Sequence, residues 1–166
     1  MLLIIGIMSD THDRLPFIDR AVERMNTEKV DLVLHAGDYI SPFVASHFKP
    51  LKARLIGVFG NNDAELERLN RLFTEGGNRV KGKFTEVRIE GKRIALLHGD
   101  EEELLKSIID CGYYDIVVYG HTHKSVIRRE GDTIVINPGE VCGYLSGRST
   151  IAKLDTETME AEIIIL

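Results

Sequence analysis

The side chains best suited to chemistry in this 166-residue sequence stand directly after apolar runs. Gly120-His121-Thr122-His123 follows Ile116-Val117-Val118-Tyr119. In an extended backbone, residues i and i+2 share a face, so His121 and His123 can aim into one site, with Thr122 turned away and Gly120 leaving room. Neutral imidazole is the commonest metal-binding side chain, but surface strands also produce a lone His-x-His pair by chance. Matching groups at other strand ends carry the argument further. Asp10 and His12 follow the apolar stretch 2–8, Asp38 follows 31–35, Asn61 and Asn62 follow 54–59, and His98 follows 93–97. Carboxylate, imidazole and amide oxygen together suit Mn²⁺, Fe, Ni²⁺, Co²⁺ or Zn²⁺, whereas the lack of thiolates argues against a structural zinc site. Asp10, His12, Asp38, Asn61, His98, His121 and His123 are too many ligands for one tetrahedral ion. They suit two ions that share a bridging carboxylate, spaced about 3.5–4 Å apart.

The elements that must position these groups can be read from periodicity. Residues 2–8 read as a strand buried on both faces. A helix over 16–28 follows, with Pro16 in its first turn and Leu15, Ile18, Val22 and Met25 marking the buried stripe. A second strand spans 31–35, and Ser41 is placed as N-cap of a short helix that starts at Pro42 and ends before Pro50. A third strand covers 54–59, and a helix over 63–74 buries Leu66, Leu69, Leu72 and Phe73 before Gly76-Gly77 stops it. Strand and helix alternate three times, which predicts a parallel sheet with right-handed crossovers. In open sheets of this kind, ligands bind beyond the carboxyl ends of the strands. The candidate ligands of this half lie at those ends.

The second half changes rhythm. Strands over 84–89 and 93–97 flank the hairpin signal Glu90-Gly91-Lys92. A helix then starts with Asp100 as N-cap and Glu103 in the capping-box position. A strand over 115–119 delivers the histidine turn. Strands over 125–129 and 133–136 surround Glu130-Gly131-Asp132, Asn137-Pro138-Gly139 interrupts, and strands over 149–154 and 160–166 close the chain. A mostly parallel first half and a hairpin-rich second half suggest two packed sheets with helices outside. No linker and no internal repeat is visible.

Composition narrows the function classes. Hydrophobic residues make up 43% and charged residues 28%, which is globular and excludes disorder. The length fits one domain, residues 1–166, with a sizeable core. A net charge of −5 argues against stable nucleic-acid binding or a membrane-surface role. The apolar N-terminus lacks the basic leader and length of a signal peptide, and no segment is long enough to span a membrane. Cys111 and Cys142 form no CxxC or zinc-ribbon spacing and read as buried or free thiols in a reducing cytosol.

Five motifs in order, Asp10-x-His12, Gly37-Asp38, Gly60-Asn61, His98-Gly99 and Gly120-His121-Thr122-His123, resemble the calcineurin-like metallophosphoesterase superfamily over residues 2 to about 140. Ser9-Asp10-Thr11-His12, Ile136-Asn137-Pro138-Gly139 and the small size make the chain most similar to the small prokaryotic phosphodiesterase branch, which also resembles the phosphoesterase-like subunit of retromer. The resemblance implies a four-layer α/β/β/α sandwich of two mixed β-sheets. It implies that Asp10, His12 and His123 hold a first divalent metal and Asn61, His98 and His121 a second, with Asp38 bridging. It further implies hydrolysis of a small phosphodiester by a metal-bridging hydroxide, with Mn or Ni as the favoured metals and Fe, Co, Zn or Mg as alternatives. Two divalent ions and two aspartates leave a charge of +2, which a hydroxide and a phosphodiester monoanion cancel. This is permissive and does not separate diesters from monoesters. A phosphomonoesterase or nucleotidase is the runner-up, and a non-catalytic protein-interaction scaffold is the reading from a different class. Homo-oligomerisation is left open.

The sequence departs from the family pattern in two places. Where the superfamily often has His near the leaving group, Asn62 stands, followed by the retained Asp63. An amide donates a hydrogen bond but is no general acid near pH 7, which favours diesters or good leaving groups. Asp100 stands where a His often follows His98-Gly99, and its capping role accounts for it. His35, inside a strand, reads as a core histidine or one that orients a ligand. His47 reads as an ordinary surface or packing residue, and the acidic run 100–103 as favourable charge at a helix N-terminus. Asn137 is expected to pack beside the site.

Overall fold

The computed structural model describes residues 3–166, so Leu2 of the first expected strand lies outside the described residues. Strands β1 (Ile4–Met8), β2 (Leu32–His35) and β3 (Arg54–Gly57) run parallel as neighbours, with Ile7 opposite Leu34 and Leu34 opposite Ile56. Each is followed by a helical segment: α1 (Leu15–Thr27), a 3₁₀ segment (Pro42–Phe48) and α2 (Leu66–Glu75). A two-residue strand β4 (Arg79–Val80), not foreseen from the sequence, adds in parallel to β3.

The second sheet starts with the antiparallel pair β5 (Phe84–Ile89) and β6 (Lys92–Leu97). Helix α3 (Glu102–Asp110) then leads into β7 (Ile116–Val118), parallel to β6. Strand β9 (Thr133–Pro138) lies parallel to β7, and β8 (Ser125–Glu130) is antiparallel at the edge. The expected division of the two sheets between the halves of the chain needs correction at the end. The closing hairpin, β10 (Thr150–Asp155) and β11 (Glu160–Ile165), returns to the first sheet, where β10 runs antiparallel to β1. The strand orders are β11-β10-β1-β2-β3-β4 and β5-β6-β7-β9-β8. Both sheets are therefore mixed.

The layers follow from alternation along the buried runs. In β1, Ile5 and Ile7 face the second sheet while Met8 faces the helices. In β6, Ile94 and Leu96 face the first sheet while Ala95 and Leu97 meet α3. Val117 of β7 and Val135 of β9 lie under α3 in the same way, with Ile116, Val118, Ile134 and Ile136 turned inward. Ile18, Val22 and Met25 of α1, with Leu69 and Phe73 of α2, cover the outer face of the first sheet. Three apolar clusters thus separate four layers, α/β/β/α.

Several local expectations shift. Helix α2 starts at Leu66, three residues later than residue 63, because Asp63 is held by the loop before it; Leu66 is left exposed. Gly76-Gly77 does end that helix, with Gly77 at φ +80° and the Asn78 N–H on the Phe73 carbonyl. Neither the Asp100 cap nor the capping box forms: α3 begins after Glu101, with no side-chain cap bond. Ser41 occupies the cap position of the 3₁₀ segment, but its hydroxyl donates to Asp13 Oδ1 at 2.9 Å instead of capping. Asn137 and Pro138 continue β9 and pair with β8.

Candidate metal centre

The carboxyl ends of β1, β2 and β3, together with those of β6 and β7, converge on one cluster. The loop after β1 is strapped to the loop after β2: the Asp10 N–H donates to the Gly37 carbonyl at 3.0 Å, and the Thr11 and His12 N–H groups donate to the Asp38 carbonyl at 3.1 Å. Close approach requires glycine twice. A Cβ on Gly60 would lie 2.1 Å from Asp38 Oδ1 and 2.6 Å from the Asp38 nitrogen, and one on Gly120 would lie 1.9 Å from Ser9 Oγ.

Asp10, His12, Asp38, His121 and His123 all have positive φ, between 41° and 63°. Left-handed backbone is uncommon for non-glycine residues and concentrates at functional sites. This corrects the expectation of an extended histidine turn. The strand ends at Val118, and His121 and His123 reach the cluster from left-handed positions rather than by strand alternation.

The ligand atoms fall into two groups joined by one carboxylate. On one side, His123 Nε2 lies 3.3 Å and His12 Nε2 3.6 Å from Asp10 Oδ1. On the other, Asn61 Oδ1 lies 2.9 Å from His98 Nε2 and 3.1 Å from His121 Nδ1. Asp38 Oδ2 touches both, 3.3 Å from His12 Nε2 and 3.4 Å from His98 Nε2. One oxygen or nitrogen of each of Asp10, His12 and Asp38 lies within 4.8 Å of the others. Asp10 Oδ1 and His12 Nε2 are buried without a hydrogen-bond partner, although each has a neighbour at ion-pair distance. Buried polar atoms normally find partners; lone pairs that converge without bonding one another fit a shared cation. All seven expected ligands are brought together.

A second layer fixes the rings. His98 Nδ1 donates to the Ala36 carbonyl at 2.8 Å, and His123 Nδ1 donates to Glu140 Oε2 at 2.6 Å, so in each ring Nε2 is the atom presented to the cluster. Asn62 donates twice to Asp38, from its backbone N–H to Oδ1 at 3.0 Å and from its amide to Oδ2 at 2.8 Å. The Asn137 amide, as expected, packs beside the site and donates to the Gly120 carbonyl at 2.8 Å. His35 is a fully buried core histidine. Its Nδ1 accepts from the Gly37 N–H at 3.1 Å, and its ring stacks on Tyr39 at 3.8 Å. His47 pairs with Asp19 at 2.7 Å.

Sequence reasoning missed Glu140. Its side chain is fully buried and takes hydrogen bonds from His123, from the Cys142 thiol at 3.0 Å and from the backbone N–H groups of Tyr144, Leu145 and Ser146. The available signal was an acid directly after Asn137-Pro138-Gly139, at the end of a buried strand. The role of Asp63 was missed as well. Its carboxylate accepts the N–H groups of Asp38 (3.1 Å), Ile40 (2.8 Å) and Gly60 (2.7 Å).

The electrostatics follow from this crowding. Burial opposes the charged form of His12, but the Asp10 and Asp38 carboxylates outweigh it and raise the ring to about 9. Burial pushes Asp38 up, yet His12, His98 and Asn62 hold its carboxyl well below the usual range. Burial likewise opposes charge on Glu140, and the Cys142, His123 and Ser146 donors bring it down to about 2. His35, by contrast, falls to about 3 through burial and the neighbouring His98, so it stays neutral. A metal bound at His12 would have to displace the proton that the two carboxylates favour on its ring.

Comparison with known proteins agrees with this geometry. The family described as the calcineurin-like phosphoesterase superfamily domain matches residues 3–159. A phosphodiesterase of Methanocaldococcus jannaschii is 44% identical over 163 residues, 98% of each chain. The phosphodiesterase YfcE of Escherichia coli is 27% identical over 148 residues, 80% of this chain and 76% of that one. Among solved structures, an archaeal phosphodiesterase superposes with a TM-score of 0.95 at 44% identity, covering 99% of this chain and 100% of the other. Vps29 from Entamoeba histolytica shares the fold, with a TM-score of 0.70 at 17% identity over 99% of each chain. By sequence over nearly its whole length and by its fold, the chain belongs to the calcineurin-like phosphoesterase superfamily and is a hydrolase of that family.

Proposed function

We propose that residues 1–166 form one metallophosphoesterase domain, a cytoplasmic phosphodiesterase that works on small phosphodiesters through a dinuclear metal centre. One observation carries the reading: Asp38 Oδ2 stands between two ligand groups, 3.3 Å from His12 and 3.4 Å from His98. Asp10, His12 and His123 would hold one ion, Asn61, His98 and His121 the other, and Asp38 both. Two divalent ions there, Mn or Ni favoured and Fe, Co, Zn or Mg as alternatives, would supply positive charge for the phosphate oxygens and the acidity that turns water into hydroxide near neutral pH.

The chain's own residues pre-organise this centre. Ala36 and Glu140 hold the Nδ1 protons of His98 and His123, which keeps Nε2 directed inward. Asn62 and Asp63 fix the two ends of Asp38, side chain and backbone. Phosphodiester preference is supported by the name of the 44% identical relative and by the amide at Asn62, which offers the leaving group no proton. The scaffold reading finds support only in the shared fold of Vps29, whereas the complete ligand set favours the enzyme. Among the described residues no helix is long and apolar enough to cross a membrane, and the acidic balance speaks against stable nucleic-acid binding.

The deciding experiment is a chelated sample refilled with Mn²⁺, Ni²⁺, Mg²⁺ or Zn²⁺ and assayed on bis- and mono-p-nitrophenyl phosphate. Metal-dependent turnover that favours the diester is expected. No turnover with any metal overturns the enzyme reading, and faster monoester hydrolysis promotes the monoesterase. Asn62→His should raise the turnover of alkyl leaving groups relative to p-nitrophenol, by up to about 10²-fold; an unchanged ranking would remove residue 62 from the leaving-group side. Glu140→Gln should weaken metal binding about 10–100-fold, the usual cost of losing a carboxylate behind a ligating histidine. Calorimetric metal titration measures this, and wild-type affinity would show that Glu140 serves only its loop.

A further inference from the structure

Helix α3 covers only part of the outer face of the second sheet. Between it and β8 lies a cleft of about 780 Å³, within the range of small-ligand pockets. The pleat explains its floor. On β8, Arg128 is opposite Val135 and Glu130 is opposite Thr133. Val135 belongs to the apolar cluster under α3, so Arg128 and Glu130 present themselves on that same outer face. Leu105 and Ile109 of α3 supply an apolar wall, and Tyr119, at 6% exposure, lies beneath them. His121 and Thr122 also line the cleft. His121 also reaches Asn61 at 3.1 Å, so the cleft and the candidate metal centre share a residue.

The charge of the lining is selective. Its two cations are matched, Lys106 with Asp110 at 3.8 Å and Arg128 with Glu130 at 2.9 Å. Asp100 and Glu102 add two further carboxylates, of which Asp100 has Lys83 at 3.9 Å. An arm with its own negative charge would meet these groups as like charges. An uncharged or cationic arm would meet apolar surface, a tyrosine and carboxylate acceptors.

We infer that this cleft receives one ester arm of the phosphodiester and selects arms that are neutral or cationic alcohols over arms bearing a further anionic group. The inference rests on the phosphodiesterase reading. The test uses p-nitrophenyl diesters with a methyl, a choline or a carboxyethyl arm, which share one leaving group, at low ionic strength where surface charge is least screened. The choline arm is expected to exceed the carboxyethyl arm in kcat/KM by roughly tenfold, a Coulombic effect of partly exposed charges. In the variant combining Glu102→Gln and Glu130→Gln that preference should fall severalfold, with the methyl diester unchanged. Choline titrated alone into the protein should shift the amide resonances of Leu105 and Ile109, and less so in the variant. An arm preference indifferent to the variant, or choline shifts that map elsewhere, overturns the assignment of the cleft. Failure to hydrolyse even the methyl diester overturns the phosphodiesterase reading instead, and the choline shifts then decide on the cleft by themselves.

Discussion

Asp38→Ala is expected to abolish metal-dependent turnover, a fall on the order of 10³–10⁴-fold or more, as when one member of a catalytic unit is removed. The size of the effect comes from position. Asp38 is 1% exposed, and its Oδ2 lies near a histidine of each ligand group. Its removal also takes away the acceptor of both Asn62 donors and part of the negative charge that raises His12. His121→Ala is the informative control, because the His121 ring meets the Asn61 side, while its backbone N–H bond to Asp10 Oδ2 survives the substitution. Metal analysis of the two variants should differ: His121→Ala should retain one tightly held ion, while Asp38→Ala should weaken both. Each should lack turnover, and unimpaired activity in either would refute the assignment. Equal metal stoichiometry in the two variants would argue against Asp38 as the bridge.

That the cluster could be read from the sequence at all has a physical cause. In a parallel sheet the chain leaves every strand at the same end, so groups that follow apolar runs must meet. Asp10, Asp38 and Asn61 each follow such a run in the first sheet, which made their convergence derivable from sequence, whereas His98 follows a strand of the second sheet and meets them only through the packing of the two sheets. The conformation that delivers them was not derivable. The left-handed backbone at Asp38, His121 and His123 depends on straps between loops far apart in sequence, such as the Asp10 N–H on the Gly37 carbonyl and the His121 N–H on Asp10 Oδ2. Glu140 escaped notice for the same reason. Its partners, from His123 to Ser146, surround it only after β9 has been placed. The return of β10 to the first sheet was equally hidden, because a hairpin of alternating residues carries no mark of which sheet it will join. Strand β4, at two residues, is too short to show a period. Helix α3 is the opposite instance: local sequence suggested a cap at Asp100, and the chain does not form it.

The second large effect is expected from Asp63, which contributes no ligand. Its carboxylate accepts three backbone N–H groups, two on Oδ2 from Asp38 and Gly60 and one on Oδ1 from Ile40. Two of these donors belong to residues at positive φ, Asp38 at 59° and Ile40 at 86°; for a β-branched residue such as Ile40 that conformation is a genuine outlier. Asp63→Ala removes the acceptors and leaves the strained loop without its restraint. Each orphaned buried donor costs about 1–3 kcal/mol, reduced here by water that can enter beside a half-buried side chain. A loss of about 3–4 kcal/mol in unfolding free energy is therefore expected, a large share of the ~5–15 kcal/mol typical of a domain, measurable as a lower denaturant midpoint. Asp63→Asn separates charge from geometry. The amide oxygen can still serve the Asp38 and Gly60 donors, but its NH₂ group would then face the Ile40 N–H, donor against donor. Asn should therefore recover part of the stability and little of the activity, since Asp38 would still be displaced from between the two histidines. If Asp63→Asn were as active as the wild type, the loop would hold Asp38 without Asp63, and the close approach at Gly60 would be the restraint that matters.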